Sequence, residues 1–302
     1  MATLAITGAT GFLGTHLVEV VSSRGLTPRG VVRSPAKAAG LGVEVRAGDL
    51  GDVGSLTAAF EGADAVVANA ALSTRLSAPW KAFEQANLQG VENTLRAAAA
   101  AGVTRVVLIS TIAVYRAWPN RPNGVNTPLL TSPGFPFTPT LLTTNWRYSL
   151  SKARGEALAW RLAAELGLSL TVLRPGPIYG PRDTKMTAMY AGWMRRRWML
   201  APTVKLPHVH ASDVAGAVAG AIQNPDSIGK AYNVTGVNAS IFEALTVWKR
   251  LTGAGPRLFP LPLPLTMGFD DSDAVRDLGF SARSLEEGIR DVLKHPIATE
   301  MT

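Results

Sequence analysis

The sequence places a tyrosine and a lysine four residues apart, Tyr148 and Lys152, in the segment YSLSK. On the helix predicted for residues 147–166, positions i and i+4 share one face. A nearby ammonium favours the phenolate, so we expect Lys152 to lower the pKa of Tyr148 from about 10 towards the working pH. Such a phenol can act as a general acid or base, although YxxxK also occurs by chance.

Two hydroxyl side chains, Ser110 and Thr111, follow the apolar run RVVLI at residues 105–109. This run predicts a buried strand, and parallel sheets bind ligands at the carboxyl ends of their strands. A hydroxyl there can hold a substrate oxygen next to Tyr148. The alternative is a hydroxyl that only caps a helix or closes a turn.

Three glycines stand at 8, 11 and 14 in TGATGFLG, between the apolar run TLAI and the amphipathic segment 12–24. A strand before and a helix after favour a dinucleotide site. Gly8 can make the tight turn, Gly11 can leave room for a phosphate, and Gly14 can allow close helix packing. The free N–H groups of the helix attract the pyrophosphate. The GxxGxxG spacing departs from GxGxxG, and glycine is common in this chain, so the spacing alone is weak evidence.

Strand and helix patterns alternate through the first 175 residues, which predicts an α/β fold with a doubly wound parallel (Rossmann) sheet. We expect residues 1–175 to form the dinucleotide-binding domain, with 209–235 packing back on it. Residues 176–302 should form mainly a smaller substrate-binding region, in which residues 186–200 and 285–293 look helical. The interval 116–146 holds six prolines and cannot be a long helix or a central strand. It is either a functional lid or a variable surface excursion.

The composition narrows the class of protein. With 302 residues, 47% of them hydrophobic, the chain can bury a sizeable core. Zero cysteines exclude disulfides. Together with an N-terminus unlike a signal peptide, this predicts a cytoplasmic protein, and no apolar run is long enough to span a bilayer.

The chain is basic, with 30 Lys and Arg against 22 Asp and Glu, a net charge of +8. Such a balance can indicate nucleic acid, a membrane surface or an anionic small molecule. The longest basic run, residues 195–197, is read either as a solvated helix face or as a contact for a phosphate-bearing substrate. Without a binding motif beside it, we expect a small-molecule substrate and neither nucleic acid nor membrane as a partner.

Jointly, the motifs resemble the extended short-chain dehydrogenases/reductases over nearly the whole chain. This group includes NAD-dependent epimerases/dehydratases and proteins similar to 3β-hydroxysteroid dehydrogenase and dihydroflavonol reductase. The matching segments are TGATGFLG at 7–14, AGDL at 47–50, NAA at 69–71, ANLQG at 86–90, STIAVY at 110–115, YSLSK at 148–152, RPGPIYGP at 174–181, HVHASDVAGAV at 208–218 and LEEGIRDVL at 285–293.

The resemblance implies a role for each matching residue. Thr111 matches the catalytic Ser/Thr, Tyr148 the acid/base, and Lys152 the lysine that holds the nicotinamide ribose. Asp49 matches the acid that meets the adenine, and residues 175–178 match a loop near the nicotinamide amide. The cofactor-binding residues expected in this way, together with those of the glycine turn, are Gly8, Thr10, Gly11, Phe12, Leu13, Gly14, Arg33, Lys37, Asp49, Leu50, Asn69, Ala70, Ala71, Asn87, Tyr148, Lys152, Pro175, Gly176, Pro177 and Ile178.

The end of the second strand favours NADP over NAD. An NAD site carries an acid about 20 residues past the glycines, on the ribose 2′-hydroxyl. Here the segment reads VVRSPAK, with Arg33 and Lys37 in that region. Arg33 can bind a 2′-phosphate in a fork, whereas an acid would repel it; a plain surface arginine is the alternative.

Three functions fit these residues. The first is an NADP-dependent oxidoreductase that acts on a ketone or secondary alcohol. The second is a nucleotide-sugar epimerase or dehydratase with a recycled cofactor. A dehydratase commonly has a pair of acids directly after the catalytic Ser/Thr, but this chain has Ile112 and Ala113 there, which weakens the dehydratase interpretation. The third is a non-catalytic dinucleotide sensor. We predict no metal, since His208 and His210 lack companion ligands and His16 and His295 have no evident partner. A homodimer is a family-level expectation.

Overall fold

The computed structural model describes residues 1–73, 78–132, 146–263 and 265–295. Its strands are β1 Thr3–Thr7, β2 Thr27–Val32, β3 Glu44–Ala47, β4 Ala65–Ala68, β5 Arg105–Ile109, β6 Pro122–Asn123, β7 Ser169–Pro175, β8 Ile178–Tyr179, β9 Trp198–Pro202, β10 Leu206–His210, β11 Ala231–Val234, β12 Val237–Ala239, β13 Arg257–Leu261 and β14 Gly268–Phe269. Its α-helices are α1 Phe12–Ser23, α2 Val53–Phe60, α3 Trp80–Glu84, α4 Gly90–Ala100, α5 Trp146–Leu166, α6 Met186–Met194, α7 Ala211–Gln223, α8 Ile241–Thr252, α9 Ser272–Leu278 and α10 Leu285–Leu293.

Seven parallel strands form the central sheet, in the order β3-β2-β1-β4-β5-β7-β11. The order reverses direction between β1 and β4, and their carboxyl ends therefore open a crevice. The predicted doubly wound α/β fold is confirmed.

The inner strands β1, β4 and β5 are largely apolar on both faces because helices cover both sides of the sheet. On β1, Leu4 and Ile6 face a core layer shared with α1 and α7, whereas Ala5 faces the layer of α2, α4 and α5. All three side chains are fully buried. This rigid sandwich fixes the strand ends that line the crevice.

Residues beyond 175 only partly form a separate region. α7 packs on α1, and β11 pairs with β7, so residues 211–234 complete the dinucleotide-binding side. The remainder forms small sheets and a third core around α8 and Trp248. This third core lies beside the crevice, because α6 contributes to both.

The helix predicted for residues 186–200 is wrong beyond Met194. α6 ends there, residues 195–197 turn, and β9 follows from Trp198. Along β9 exposure alternates: Trp198 and Leu200 face outward, whereas Met199 and Ala201 are buried. The error arose because every residue of WMLAP is apolar, so composition could not reveal the period of two.

The proline-rich interval is described up to residue 132 and again from 146. Its described part carries the two-residue strand β6, paired with β14, and a bridge between Tyr115 and Leu129. Residues 133–145, with Pro133, Pro136 and Pro139, lie outside the described residues, so the two interpretations of the interval, a lid or a surface excursion, both stay predictions. Within the described ranges, no helix is long and apolar enough to cross a membrane.

Candidate active site

The turn after β1 has the geometry that its glycines allow. Gly8 adopts φ +67°, and a Cβ there would lie 3.0 Å from the Cα of Ala70. A Cβ on Gly14 would lie 2.1 Å from the carbonyl oxygen of Gly8, so only glycine lets α1 start this close to the turn. Gly11 precedes α1, and no side chain caps its N-terminal N–H groups. These donors face the crevice and suit an anionic group.

Thr7 and Asn69 tie the end of β4 to this turn. The backbone N–H groups of Asn69 and Ala70 both donate to Thr7 Oγ1, each over 3.0 Å. The Asn69 side-chain amide donates to the carbonyl oxygens of Thr7 and Gly8 over 3.2 and 3.3 Å. The Asn69 amide therefore holds the protein backbone, which makes this residue part of the scaffold of the predicted cofactor site.

A cavity of about 1220 Å³ runs along the crevice. It exceeds the roughly 300–1,000 Å³ typical of sites for drug-sized ligands, which fits a dinucleotide with a substrate beside it. The predicted site residues that line it are Gly8, Thr10, Gly11, Phe12, Leu13, Arg33, Asp49, Leu50, Asn69, Ala70, Ala71, Thr111, Tyr148, Lys152, Pro175, Gly176, Pro177 and Ile178. Gly14 and Asn87 do not line it, and the Lys37 side chain lies outside the described part of the chain.

Thr111, Tyr148 and Lys152 meet at the end of β5. Tyr148 and Thr111 share a side-chain hydrogen bond. Lys152 is buried, and its ammonium donates to the carbonyl oxygen of Ile109 over 2.7 Å. The Thr111 hydroxyl also accepts a bond from the N–H of Ala113, which orients it. A phenol, a hydroxyl and a cation therefore converge on one cavity wall.

The expected low pKa of Tyr148 is not what the structure shows. Burial raises the pKa of Tyr148 to about 12, and the Thr111 bond only partly opposes this. Burial also lowers the pKa of Lys152 to about 8, against the attraction of Glu156. The Lys152 ammonium donates its bond to the Ile109 carbonyl, and both side chains lie in surroundings of low dielectric. The position of Lys152 one helical turn from Tyr148 was therefore not enough to predict the pKa of Tyr148.

A buried polar network behind β5 was missed by the sequence analysis. Ser110 donates to Glu156 Oε2 over 2.6 Å, so its hydroxyl is committed to the network instead of a substrate. Glu156 forms a buried ion pair with Arg174, whose Nη1 donates to the Tyr115 hydroxyl over 2.6 Å. YxxxKxxxE places Glu156 on the same helix face as Lys152, and this spacing could have revealed it.

The far end of the crevice carries Arg33 and Asp49. Arg33 is exposed at the end of β2, and no carboxylate among the described residues pairs with it. Asp49 is exposed, and its Oδ1 accepts from the N–H of Gly51 over 2.8 Å. A cation available for an anionic group thus stands next to the glycine turn.

Asn87 supports the site from behind. It lies in a π-helical turn, Gln85–Gln89, between α3 and α4. Its Oδ1 accepts from the N–H of Leu72 over 2.9 Å, and its Nδ2 donates to Ser151 Oγ over 2.9 Å. Asn87 therefore fixes the segment after β4 to α5, one residue from Lys152. π-turns often mark functional sites.

The opposite wall of the cavity comes from residues that the motifs did not indicate: Ser73, Lys185, Met186 and Met189. The Lys185 ammonium donates to Ser73 Oγ over 2.8 Å, which joins the segment before α6 to the segment after β4. Ser73 and Lys185 lie in connecting segments, which vary more between relatives than strands and helices do, so no motif marks them.

The histidines have structural partners. His16, predicted to lack one, is buried and bonds to Ser212 Oγ and the carbonyl oxygen of Pro181 over 3.1 and 3.0 Å. His208 bonds to the Tyr190 hydroxyl over 3.0 Å. Burial lowers the pKa of His210 to about 3, with Arg283 and His16 adding to the effect. Across the described ranges, no group of three or more His, Cys, Asp or Glu residues could hold a metal ion.

Comparisons with known proteins agree with this geometry. The family model for the NAD dependent epimerase/dehydratase family matches residues 4–235. Ceramide reductase of Caulobacter vibrioides is 30% identical over 273 residues, 88% of this chain and 76% of that protein. Cinnamoyl-CoA reductase 1 of Petunia hybrida is 33% identical over 190 residues, which cover 59% of this chain and 55% of that protein.

Solved structures show the same fold over the full chain. UDP-glucose 4-epimerase of Thermus thermophilus in complex with NAD has a TM-score of 0.77 at 24% identity, over 97% of this chain and 98% of that one. The family match covers the glycine turn, Thr111, Tyr148 and Lys152. The chain therefore belongs to the NAD dependent epimerase/dehydratase family of extended short-chain dehydrogenases/reductases, and it is an NAD(P)-dependent oxidoreductase or epimerase.

Proposed function

We propose that this protein is an NADP-dependent oxidoreductase that transfers hydride between nicotinamide and a ketone or secondary alcohol. The observation that carries the proposal is the hydrogen bond between Thr111 and Tyr148 on the wall of the cavity that also contains the glycine turn. Reductases among the curated relatives support it, including ceramide reductase and cinnamoyl-CoA reductase.

The residues of the chain perform the proton half of the reaction. When bound, the nicotinamide supplies or accepts the hydride at the carbonyl carbon. Thr111 orients the substrate oxygen, and Tyr148 donates the proton that this oxygen gains during reduction. In the oxidative direction Tyr148 takes that proton back. Its pKa of about 12 keeps the phenol protonated at neutral pH, which suits reduction.

Lys152 and the glycine turn would hold the cofactor. The ammonium of Lys152, one helical turn from Tyr148, can donate to a ribose hydroxyl as well as to Ile109. The N-terminus of α1 and the small residues at 8 and 11 can receive the pyrophosphate. Asp49 and the loop at 175–178 line the ends of the same cavity and would contact the adenine and the nicotinamide amide.

A Tyr148→Phe variant tests the chemistry. We expect activity to fall by about 10²–10⁴-fold, because the general acid is lost. The assay follows NADPH absorbance with a panel of carbonyl compounds. Tyr179→Phe is the matched control, since its hydroxyl has no hydrogen-bond partner among the described residues. If Tyr148→Phe catalyses the reaction at the wild-type rate, the proposed role of Tyr148 as general acid is disproved.

The same assay separates the competing functions. Net NADPH oxidation supports the reductase. Activity on nucleotide sugars without net cofactor turnover would instead support the epimerase or dehydratase, and cofactor binding without any turnover would support the sensor. Buried Ile112 and Ala113 follow Thr111 where a dehydratase commonly has acids, which favours the reductase.

Arg33→Ala tests the preference for NADP. Charge-assisted bonds to a 2′-phosphate are worth about 1.5–3 kcal/mol, so NADPH affinity should fall by roughly ten- to 150-fold while NADH affinity changes little. Arg161→Ala, an exposed arginine on α5, is the control. If NADH binds more tightly than NADPH, and Arg33→Ala leaves that ratio unchanged, the preference is disproved.

A further inference from the structure

Exposed apolar side chains are concentrated on one face of the small sheet formed by β9 and β13. Large hydrophobic residues with more than a third of their surface exposed are few in the described chain. Six of the eleven lie in this sheet and the segment that follows it: Trp198, Leu200, Phe259, Leu261, Leu263 and Leu265. Such clusters mark interaction sites, whereas single exposed residues need no explanation.

The strand register places four of these side chains, Trp198, Leu200, Phe259 and Leu261, on a common face. β9 and β13 are parallel, with Leu200 opposite Phe259 and Trp198 opposite Arg257. The other face of the sheet, with Met199 and Ala201, is buried in the third core. The sheet is therefore buried on one side and presents a second apolar side outward, which a solvated sheet does not normally do. We call this outward side, residues 198, 200, 259 and 261 with the following residues 263 and 265, the β9–β13 face.

Basic residues border the β9–β13 face. Arg195, Arg196 and Arg197 are exposed in the turn that enters β9, and the Arg257 guanidinium stands 5.2 Å over the Phe259 ring. No carboxylate of the described residues forms an ion pair with any of these four arginines. The basic run thus forms neither a helix face nor a wall of the crevice. Its positive charge is available to an external anion.

We propose that the β9–β13 face docks this protein peripherally on an anionic lipid surface. Exposed Trp, Leu and Phe side chains enter the interface between headgroups and acyl chains, and adjacent arginines pair with anionic headgroups. A second copy of the chain is a poorer occupant, because a two-fold contact would set both arginine clusters against each other. This revises the expectation that a membrane is not a partner, and it is independent of the proposed reaction.

The position of the face fits access of an apolar substrate from that surface. Met186 and Met189 of α6 line the cavity, and α6 ends at Met194, directly before the arginines. At 1.5 Å per residue, Met189 lies only about 8 Å along the helix from that end. A docked protein would therefore hold one wall of its cavity near the lipid.

Vesicle sedimentation with the full chain tests the proposal. Phosphatidylcholine vesicles with and without phosphatidylserine are the probes, at low and high salt. We expect binding only with phosphatidylserine, weakened by salt because the attraction is screened. Replacing residues 195–197 with glutamine should weaken binding by about 100-fold, at roughly fivefold per arginine. Trp198→Ser with Leu200→Ser should weaken it by about tenfold or more.

Two controls match these variants. Arg24→Gln/Arg96→Gln/Arg161→Gln removes the same charge from the C-cap of α1, from α4 and from α5, and Val275→Ser removes an exposed apolar side chain from α9. Both should bind as the wild type does, and thermal unfolding checks that every variant is folded. Equal binding to both vesicle types, or unchanged binding by the face variants, would overturn the proposal. Self-association lost in Trp198→Ser, without vesicle binding, would assign the face to a second copy instead.

Discussion

The buried pair Glu156–Arg174 should be the most sensitive electrostatic contact of the described structure. Both side chains are almost fully buried, and Glu156 also accepts a bond from Ser110. Glu156→Leu would leave the Arg174 guanidinium buried without its counter-charge. Breaking such a pair from one side costs about 3–5 kcal/mol. The loss exceeds that of an ordinary surface pair, which is about 0–1 kcal/mol.

The melting temperature converts this loss into a measurement. Unfolding entropy of about 2.1 cal/mol/K per residue gives about 0.6 kcal/mol/K for 302 residues. Glu156→Leu should therefore lower the midpoint by about 5–8 °C in calorimetry. Glu286→Gln, at the exposed pair with Arg250, should lower it by no more than about 2 °C.

A double variant separates the ion pair from simple loss of packing. Glu156→Leu with Arg174→Met removes both charges and keeps the volume apolar, so much of the lost stability should return. Tyr115 retains its bond to Asn233 Oδ1, 2.7 Å away, in that variant. The reasoning is refuted if Glu156→Leu has the same melting temperature as Glu286→Gln. It is also refuted if the stability lost in the double variant equals the sum of the losses in its two single variants.

Two further predictions concern the site. Burial holds the pKa of Lys152 at about 8 against an ordinary 10.5, so the unfolded chain binds more protons between these values. The free energy of unfolding, measured with urea, should therefore rise by about 3 kcal/mol from pH 8 to 10.5. The Lys152→Met variant should lack this rise, and an equal rise in that variant would contradict the prediction. Gly14→Ala should cost at least about 3 kcal/mol, because its Cβ would meet the Gly8 carbonyl oxygen at 2.1 Å. Gly192→Ala, in open space on α6, should be neutral or stabilising in the same denaturation experiment.

The parallel sheet and its glycine turn were predictable because strong local patterns determine them. The strand predicted at 105–109 and the helix at 285–293 have the bounds expected from the sequence. Their signals are a continuous apolar run in the first and a Ser284–Glu287 capping box before an amphipathic segment in the second. The cavity likewise unites most of the predicted site residues, since the motifs follow the strand ends.

The remaining features depend on contacts distant in sequence. Ser110 was a candidate for substrate contact, yet Glu156, 46 residues away, takes its hydroxyl. His16 forms a hydrogen bond with Ser212, which is 196 residues away in the sequence. The pKa of Tyr148 is set by burial, which helical spacing does not report. Such features follow from tertiary packing and could not be read from local pattern.

The return of the chain to the central sheet limits how the enzyme can be divided. β11 lies at the edge beside β7, and α7 covers the apolar face of α1, although both come after β8, α6 and β9. A fragment cut at residue 175 would leave β7 as a bare edge strand and α1 without its cover. Exchanging the smaller region between relatives would therefore require at least two separate insertions, around 176–210 and after 235, with the intervening stretch kept from the parent.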